Sequence, residues 1–137
     1  ERFEKVHELL KEYSEKKHLS YSRFSSQKSF ESDIILVDEM GILNDIYSIS
    51  DVVILGGAFE KIGGHNPIEP LHFGCKIISG KNIFNQKALF SNIQNYYLVE
   101  NNELKNILNK KDKLEKPVLK QSGSYENIIK EINANLW

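Results

Sequence analysis

The residues best able to do chemistry fall in one short span, "GGAFEKIGGHNPIEP", from Gly56 to Pro70. It holds Gly56-Gly57 and Gly63-Gly64, and beside them His65, Asn66 and Glu69. Part of this pattern is plain helix punctuation. Asn66 is a good N-cap, Pro67 suits the first helical position, and Glu69 stands at capping-box spacing, where its carboxylate can reach back to the Asn66 N–H. Such a cap stabilises by about 1 kcal/mol and needs no ligand. The glycines ask for more, because each costs backbone entropy and a simple turn needs only one or two. A glycine pair ahead of a helix lets backbone N–H groups approach an anion closely, and His65 adds a hydrogen-bonding ring. The chemistry implied is binding of a phosphate or a nucleotide. The pattern is neither G-x-G-x-x-G nor G-x-x-x-x-G-K-[ST], so neither the dinucleotide fingerprint nor the P-loop applies.

A second, weaker loop is "DEMGIL". Gly41, followed by Ile42 and Leu43, could likewise expose N–H groups beside Met40. Other polar residues read as structural. His65 with Glu69 or His72 lacks a third ligand at sensible spacing for a metal. Cys75 sits in an apolar run and reads as a small core residue. His7 and His18 read as surface residues, and the lysines between Lys105 and Lys120 as a solvated face.

The elements that must position these loops follow from periodicity. "ERFEKVHELLKEYSEKK" has Phe3, Val6, Leu10 and Tyr13 at helical steps, which predicts an amphipathic helix with that face inward. A serine-rich loop follows, with a short strand around Leu19 to Phe24. "DIILVD", "DVVILGG" and "CKIISG" are apolar without alternation, as buried parallel strands are. "YYLVE" is a weaker fourth. Helices are predicted at "MGILNDIYSIS", on Ile42, Ile46 and Ile49, and at "NPIEPLHFG", "NQKALFSNIQN" and "NNELKNILNKK". A lysine-rich connection containing Pro117 then leads to "GSYENIIKEINANLW", with Tyr125, Ile128, Ile132 and Leu136 as its apolar positions. Strands alternating with helices predict an α/β fold, a Rossmann-like parallel sheet with helices on both faces, whose ligands sit at the carboxyl ends of the strands. The loops after Val37 and Leu55 occupy those positions.

The bulk properties narrow the function. The chain has 137 residues, the size of a single domain. Its 18 basic and 19 acidic residues give a net charge of −1, which provides no electrostatic case for nucleic acid or for an anionic lipid surface. No apolar run approaches the roughly 20 residues of a membrane-spanning helix. One cysteine excludes an intramolecular disulfide and a cysteine-based metal site. The charged, helix-like opening without an initiator Met is expected of a piece of a longer protein.

Taken together, "VDEMGILNDIYSISDVVILGGAFEKIGGHNPIEPLHFGCKIISGKNIFNQ" resembles the nucleotide-sugar-binding half of the Kdo transferases, which move 3-deoxy-D-manno-octulosonic acid (Kdo) from CMP-Kdo onto lipid A precursors. "GGHNPIEP" is the specific part, against a family G-G-H-N-P-L-E-P. "ERF" resembles the end of the family's R-H-P-E-R-F. The family D-T-M-G-E-L reads Asp38-Glu39-Met40-Gly41-Ile42-Leu43 here, and a following G-P-h-x-x-N-F reads Gly80-Lys81-Asn82-Ile83-Phe84-Asn85-Gln86. Glu39 thus brings a negative charge to the loop, and Ile42 removes one.

The resemblance implies the C-terminal, donor-binding domain of a GT-B glycosyltransferase, with the N-terminal acceptor domain absent. It implies metal-independent, inverting transfer without a cofactor, in lipopolysaccharide synthesis at the cytoplasmic face of the bacterial inner membrane. The catalytic base, the lipid A contact and any membrane contact then belong to the missing domain, so the fragment alone is expected to bind the donor without catalysing transfer. Met40, Gly41, Ile42 and Leu43 are expected against the nucleotide and its phosphate. Gly63, Gly64 and His65 would shape the donor pocket, Asn66 would orient the next helix, Glu69 would accept from the ribose hydroxyls, and Asn85 is a further donor-site candidate. Two alternatives stay open on the residues alone: the donor domain of another GT-B enzyme using a UDP-sugar, and a non-catalytic Rossmann-like scaffold.

Overall fold

The computed structural model describes residues 2–120 together with 129, 130, 132 and 134. The helix expected from Gly123 to Trp137 lies largely outside the described residues. The chain divides into two compact units, Glu1–Leu43 and Asn44–Trp137.

In the first unit, helix α1 (Arg2–Lys17) precedes strand β1 (Tyr21–Arg23), a single turn of helix α2 (Phe24–Gln27), and strand β2 (Ile34–Leu36). β1 and β2 run parallel, with Tyr21 opposite Ile34 and Arg23 opposite Leu36. α1 packs on both strands. The face it turns inward differs from the expected one. Ser14 is buried, and His7 and Leu10 are half-buried, while Phe3, Val6, Leu9 and Tyr13 are exposed. Periodicity finds a helix but not its orientation when polar residues can satisfy themselves inside. The Ser14 hydroxyl donates to the Lys11 carbonyl at 2.7 Å, and His7 Nδ1 lies 2.8 Å from the Tyr21 hydroxyl. His7 is therefore not the surface residue its neighbours suggest.

In the second unit, helix α3 (Leu43–Ile49) leads to strand β3 (Val52–Leu55), helix α4 (Ile68–His72), strand β4 (Lys76–Ser79), helix α5 (Lys87–Ser91), strand β5 (Ile93–Gln94) and strand β6 (Tyr96–Leu98). A 3-10 turn at Asn101–Glu103, helix α6 (Leu104–Leu108), a 3-10 turn at Lys111–Lys113 and strand β7 (Val118–Leu119) complete it. β3, β4 and β6 form a parallel sheet in that order. Leu55, Ala58, Ile77, Ile83 and Phe90 make its buried core, joined by Val53, Leu71, Tyr96 and Leu98. Residues two apart on a strand share a face, so Val53 and Leu55 point into that core. Ile54 points the other way and is 42% exposed, so the described residues do not cover β3 on both faces as its unbroken apolar run suggests.

The helix expected through Asn95 stops at Ser91. Ile93 is buried in β5, which pairs antiparallel with β7, inside what the sequence presents as a lysine-rich connection. The α3 face also differs, because Tyr47 is buried while Ile49 is 62% exposed. Cys75 is a core residue. Its thiol donates to the Tyr47 carbonyl at 3.2 Å, and burial pushes its pKa up.

Candidate functional site

The glycine loop leaves β3 at Gly56 and returns to α4. Close packing within the loop and against a second loop, Gly80 to Gln86, accounts for Gly57 and Gly63. A side chain on Gly57 would collide with the Gly63 carbonyl, and Gly57 adopts φ +79°. One on Gly63 (φ +105°) would sit 2.7 Å from Asn85 Oδ1, and one on Gly80 would strike the backbone of Ala58 and Phe59. Two asparagines stitch the loops together. Asn85 Oδ1 accepts from the Gly64 N–H at 2.8 Å while its Nδ2 donates to the Gly64 carbonyl at 3.0 Å. The side-chain amide thus pairs with Gly64 as a neighbouring strand would. Asn82 donates twice to the Ala58 carbonyl, from its backbone N–H at 2.9 Å and from Nδ2 at 3.0 Å.

This geometry revises the expected division of roles. Asn85 holds the loop, with both its Oδ1 and its Nδ2 engaged on Gly64. The Gly64 N–H, bound to Asn85, is not free for an anion. Among the described residues, the N–H groups of Gly63, His65 and Asn66 have no partner. Gly63 and Gly64 are buried, while His65 is exposed.

The helix that follows is capped by Asn66, whose side-chain oxygen accepts from the Ile68 N–H at 2.9 Å. Pro67 already has helical dihedrals, φ −83° and ψ −13°. The regular ladder begins one residue later because Pro70 has no N–H to give the Asn66 carbonyl, and the first bond runs from Leu71 N–H to the Pro67 carbonyl at 3.3 Å. Glu69 does not close the expected capping box: among the described residues it makes no bond to the Asn66 N–H. The same spacing does close at Glu100 and Glu103, where the Glu103 carboxylate accepts from the Glu100 N–H at 2.7 Å. Glu69 is instead exposed and lines a surface pocket of about 340 Å³ with Asn44, Ile68, His72 and Phe73. α4 has only five residues, so its macrodipole is slight and the expected pull of a helix start on an anion is weak here.

Met40, Gly41 and Ile42, with Leu43 at the start of α3, belong to the first unit. Met40 is 93% exposed and Leu43 49%. Gly41 has φ +87° with open space where a side chain would go, so only its backbone conformation calls for glycine. The acids ahead of it are engaged. Asp38, whose side chain is only 4% exposed, accepts from the Ser25 hydroxyl at 2.7 Å, the Ser25 N–H at 3.0 Å and Arg23 Nε at 2.8 Å. The Ser25 hydroxyl and N–H foremost, with Arg23 assisting, hold its pKa well below the usual carboxylate range. Arg23 also pairs with Glu4 at 2.9 Å. Glu39 pairs with Lys28, so the charge it brings to the loop is matched locally.

Gly64 and Asn85 are therefore hydrogen-bonded to each other, with Gly63 packed against Asn85, Asn66 caps the downstream helix that carries Glu69, and Met40 to Leu43 form a separate loop. Sequence reasoning missed Asn82, Ala58 and Gly80 as parts of this loop packing. The signal available for them was the pair of asparagines, Asn82 and Asn85, just after a glycine.

No family model matches the chain. It is 41% identical over 92 residues to a 3-deoxy-D-manno-octulosonic acid transferase of Haemophilus influenzae, a match covering 66% of this chain and 21% of that protein. It is 41% identical over 85 residues to a bifunctional glycosyltransferase/methyltransferase of Fusobacterium nucleatum, covering 59% of this chain and 13% of that protein. The matched region thus spans about a fifth or less of these relatives' length. Among solved structures, the C-terminal CMP-Kdo binding domain of WaaA from Acinetobacter baumannii superposes with a TM-score of 0.68 at 21% identity, covering 98% of this chain and 68% of that one. In sequence the chain is similar to part of the 3-deoxy-D-manno-octulosonic acid transferases, and its fold matches that of the solved C-terminal domain.

Proposed function

We propose that the chain is the donor-binding part of a Kdo transferase, holding CMP-Kdo while Kdo passes to a lipid A precursor in lipopolysaccharide synthesis. The observation that carries this reading is the 41% identity to a Kdo transferase in a chain with the fold of a CMP-Kdo binding domain. Transfer proceeds with inversion and without metal or cofactor. A carboxylate base from an N-terminal domain activates the acceptor, and that domain meets the lipid at the cytoplasmic face of the inner membrane.

The residues present suit the donor's needs. Breaking the Kdo–CMP bond leaves negative charge on the phosphate, and unpartnered N–H groups fixed in a rigid loop stabilise such charge. Gly63, His65 and Asn66 supply them. Asn85 and Asn82 keep that loop in place, acting on the donor only through Gly64 and Ala58. Glu69, free of a capping bond, accepts from the ribose hydroxyls. Met40 to Leu43 lie against the nucleotide.

The test is CMP affinity by calorimetry on the chain and on Glu69→Ala. Losing one charge-assisted hydrogen bond weakens binding by about tenfold. An unchanged affinity would remove Glu69 from the ribose site. A second reading has one observation in its favour: loop packing alone accounts for Gly57, Gly63 and Gly80. Under it the loop is a scaffold, and the chain binds neither CMP nor UMP.

A further inference from the structure

We propose that His72 is a second ribose contact beside Glu69, a specificity-determining residue that makes the pocket between α3 and α4 select a nucleotide with both ribose hydroxyls. The proposal rests on the donor-binding reading above, in which Glu69 accepts from that ribose.

The pocket lies within the second unit and measures about 340 Å³. Asn44 of α3 lines one wall, and Ile68, Glu69, His72 and Phe73 of α4 and its C-cap line the other. A contact between rings sets the distance between the walls. The Phe73 ring lies 6.1 Å from the ring of Tyr47, which is buried. The Cys75 thiol, bonded to the Tyr47 carbonyl, ties the same part of α3 to the residues just after α4. Residues three apart on a helix share a face, so Glu69 and His72 stand side by side on α4. Burial foremost, with the Glu69 charge adding to it, pushes the pKa of Tyr47 up, as a carboxylate turned toward α3 would.

Among the described residues, the side chains of Asn44, Glu69 and His72 make no hydrogen bond or ion pair. Polar groups left over and converging on a partly apolar pocket are what orients a bound ligand. The His72 ring is also held in place. It meets Phe73 edge to face, with centroids 5.5 Å apart and planes at 89°, and Phe73 rests on Tyr47. A side chain already fixed loses little freedom when it binds.

The chemistry of the pair suits a vicinal diol. Each ribose hydroxyl donates one hydrogen and offers an oxygen that accepts. A carboxylate only accepts, so Glu69 by itself leaves the hydroxyl oxygens without a donor, and an imidazole N–H supplies one. The volume is near the lower end for ligand pockets, about 300 Å³, which suits a nucleoside and leaves the phosphate and the Kdo outside.

The test compares CMP, 2′-deoxy-CMP and 3′-deoxy-CMP by amide-shift titration to millimolar ligand. The unaltered chain is expected to bind CMP about tenfold tighter than at least one deoxy form, since that form leaves a polar group of the pocket unpaired. His72→Phe keeps a ring against Phe73 but has no N–H. It is expected to bring CMP down to the affinity of one deoxy form, which names the hydroxyl that His72 holds. His72→Gln keeps a donor and is expected to retain most of the preference. The amide spectrum of each variant reports that it is folded. A preference left intact in His72→Phe would overturn the proposal and leave the diol to Glu69. Loss of the preference in His72→Gln as well would overturn it too, since the ring and not the hydrogen bond would then be at work. Equal binding of all three nucleotides by the unaltered chain would overturn it while leaving the donor-binding reading in place. No binding of CMP at all would overturn both.

Discussion

The loop around Gly63 and the loop around Asp38 are both candidates for the donor site, and they are held by different physics. The first is fixed by shape and by neutral hydrogen bonds: glycines that admit no side chain, and the Asn85 amide closing on Gly64. The second is fixed by charge. Asp38 gathers two donors from Ser25 and one from Arg23, and Arg23 reaches on to Glu4. A loop held by packing is indifferent to pH and intolerant of added atoms. A loop held by a carboxylate tolerates added atoms, as the open space at Gly41 shows, but depends on that carboxylate staying ionised.

This contrast is broken most severely at Gly57. Gly57→Ala meets both a positive φ and the Gly63 carbonyl, and is expected to cost about 3 kcal/mol or prevent folding, read as a shift in the urea midpoint. Gly41→Ala has only the dihedral to overcome and is expected to cost about 1 kcal/mol. Equal losses at the two glycines would erase the distinction.

Asn85→Ala comes next. It leaves the Gly64 N–H and carbonyl without partners and is expected to cost about 2 kcal/mol, at any pH between 5 and 8. A loss of only a few tenths would mean that water or a neighbour replaces the amide.

The acid dependence of stability is the most informative about the other loop. The folded pKa of Asp38 is depressed, so its contribution is complete above the unfolded value of about 4 and fades as pH falls through the folded one. Stability should therefore decline from about pH 4 downward, and Asp38→Asn should flatten that decline without affecting the Asn85 difference. A decline that the substitution leaves intact would place the acid sensitivity elsewhere, with Asp33 next, since the Ser20 hydroxyl and N–H lower its pKa too.

The sequence exposes some of this and conceals the rest for physical reasons. "DVVILGG" and "CKIISG" are legible as strands because apolar runs bounded by glycine leave few options. β5 and β7 are not, because two-residue strands have no period and their pairing is a long-range fact. The buried face of α1 is hidden because Ser14 satisfies its own hydroxyl locally. The cap at Asn66 is legible because capping is local, whereas Glu69 and Glu103 share one spacing and only Glu103 closes its box. Asn85 invites a ligand role because an asparagine near a glycine loop is ambiguous until its partner, 21 residues away, is placed.

The account rests on these loops serving a cytidine nucleotide. An amide chemical-shift titration with CMP, with UMP as the control, tests that most directly. The predicted result is shifts clustered at Gly63 to Glu69 and Gly41 to Leu43, larger with CMP, while the Gly64 amide moves less than those of Gly63 and His65 because Asn85 already holds it. An equal or stronger response to UMP, or shifts confined to other parts of the chain, would contradict it.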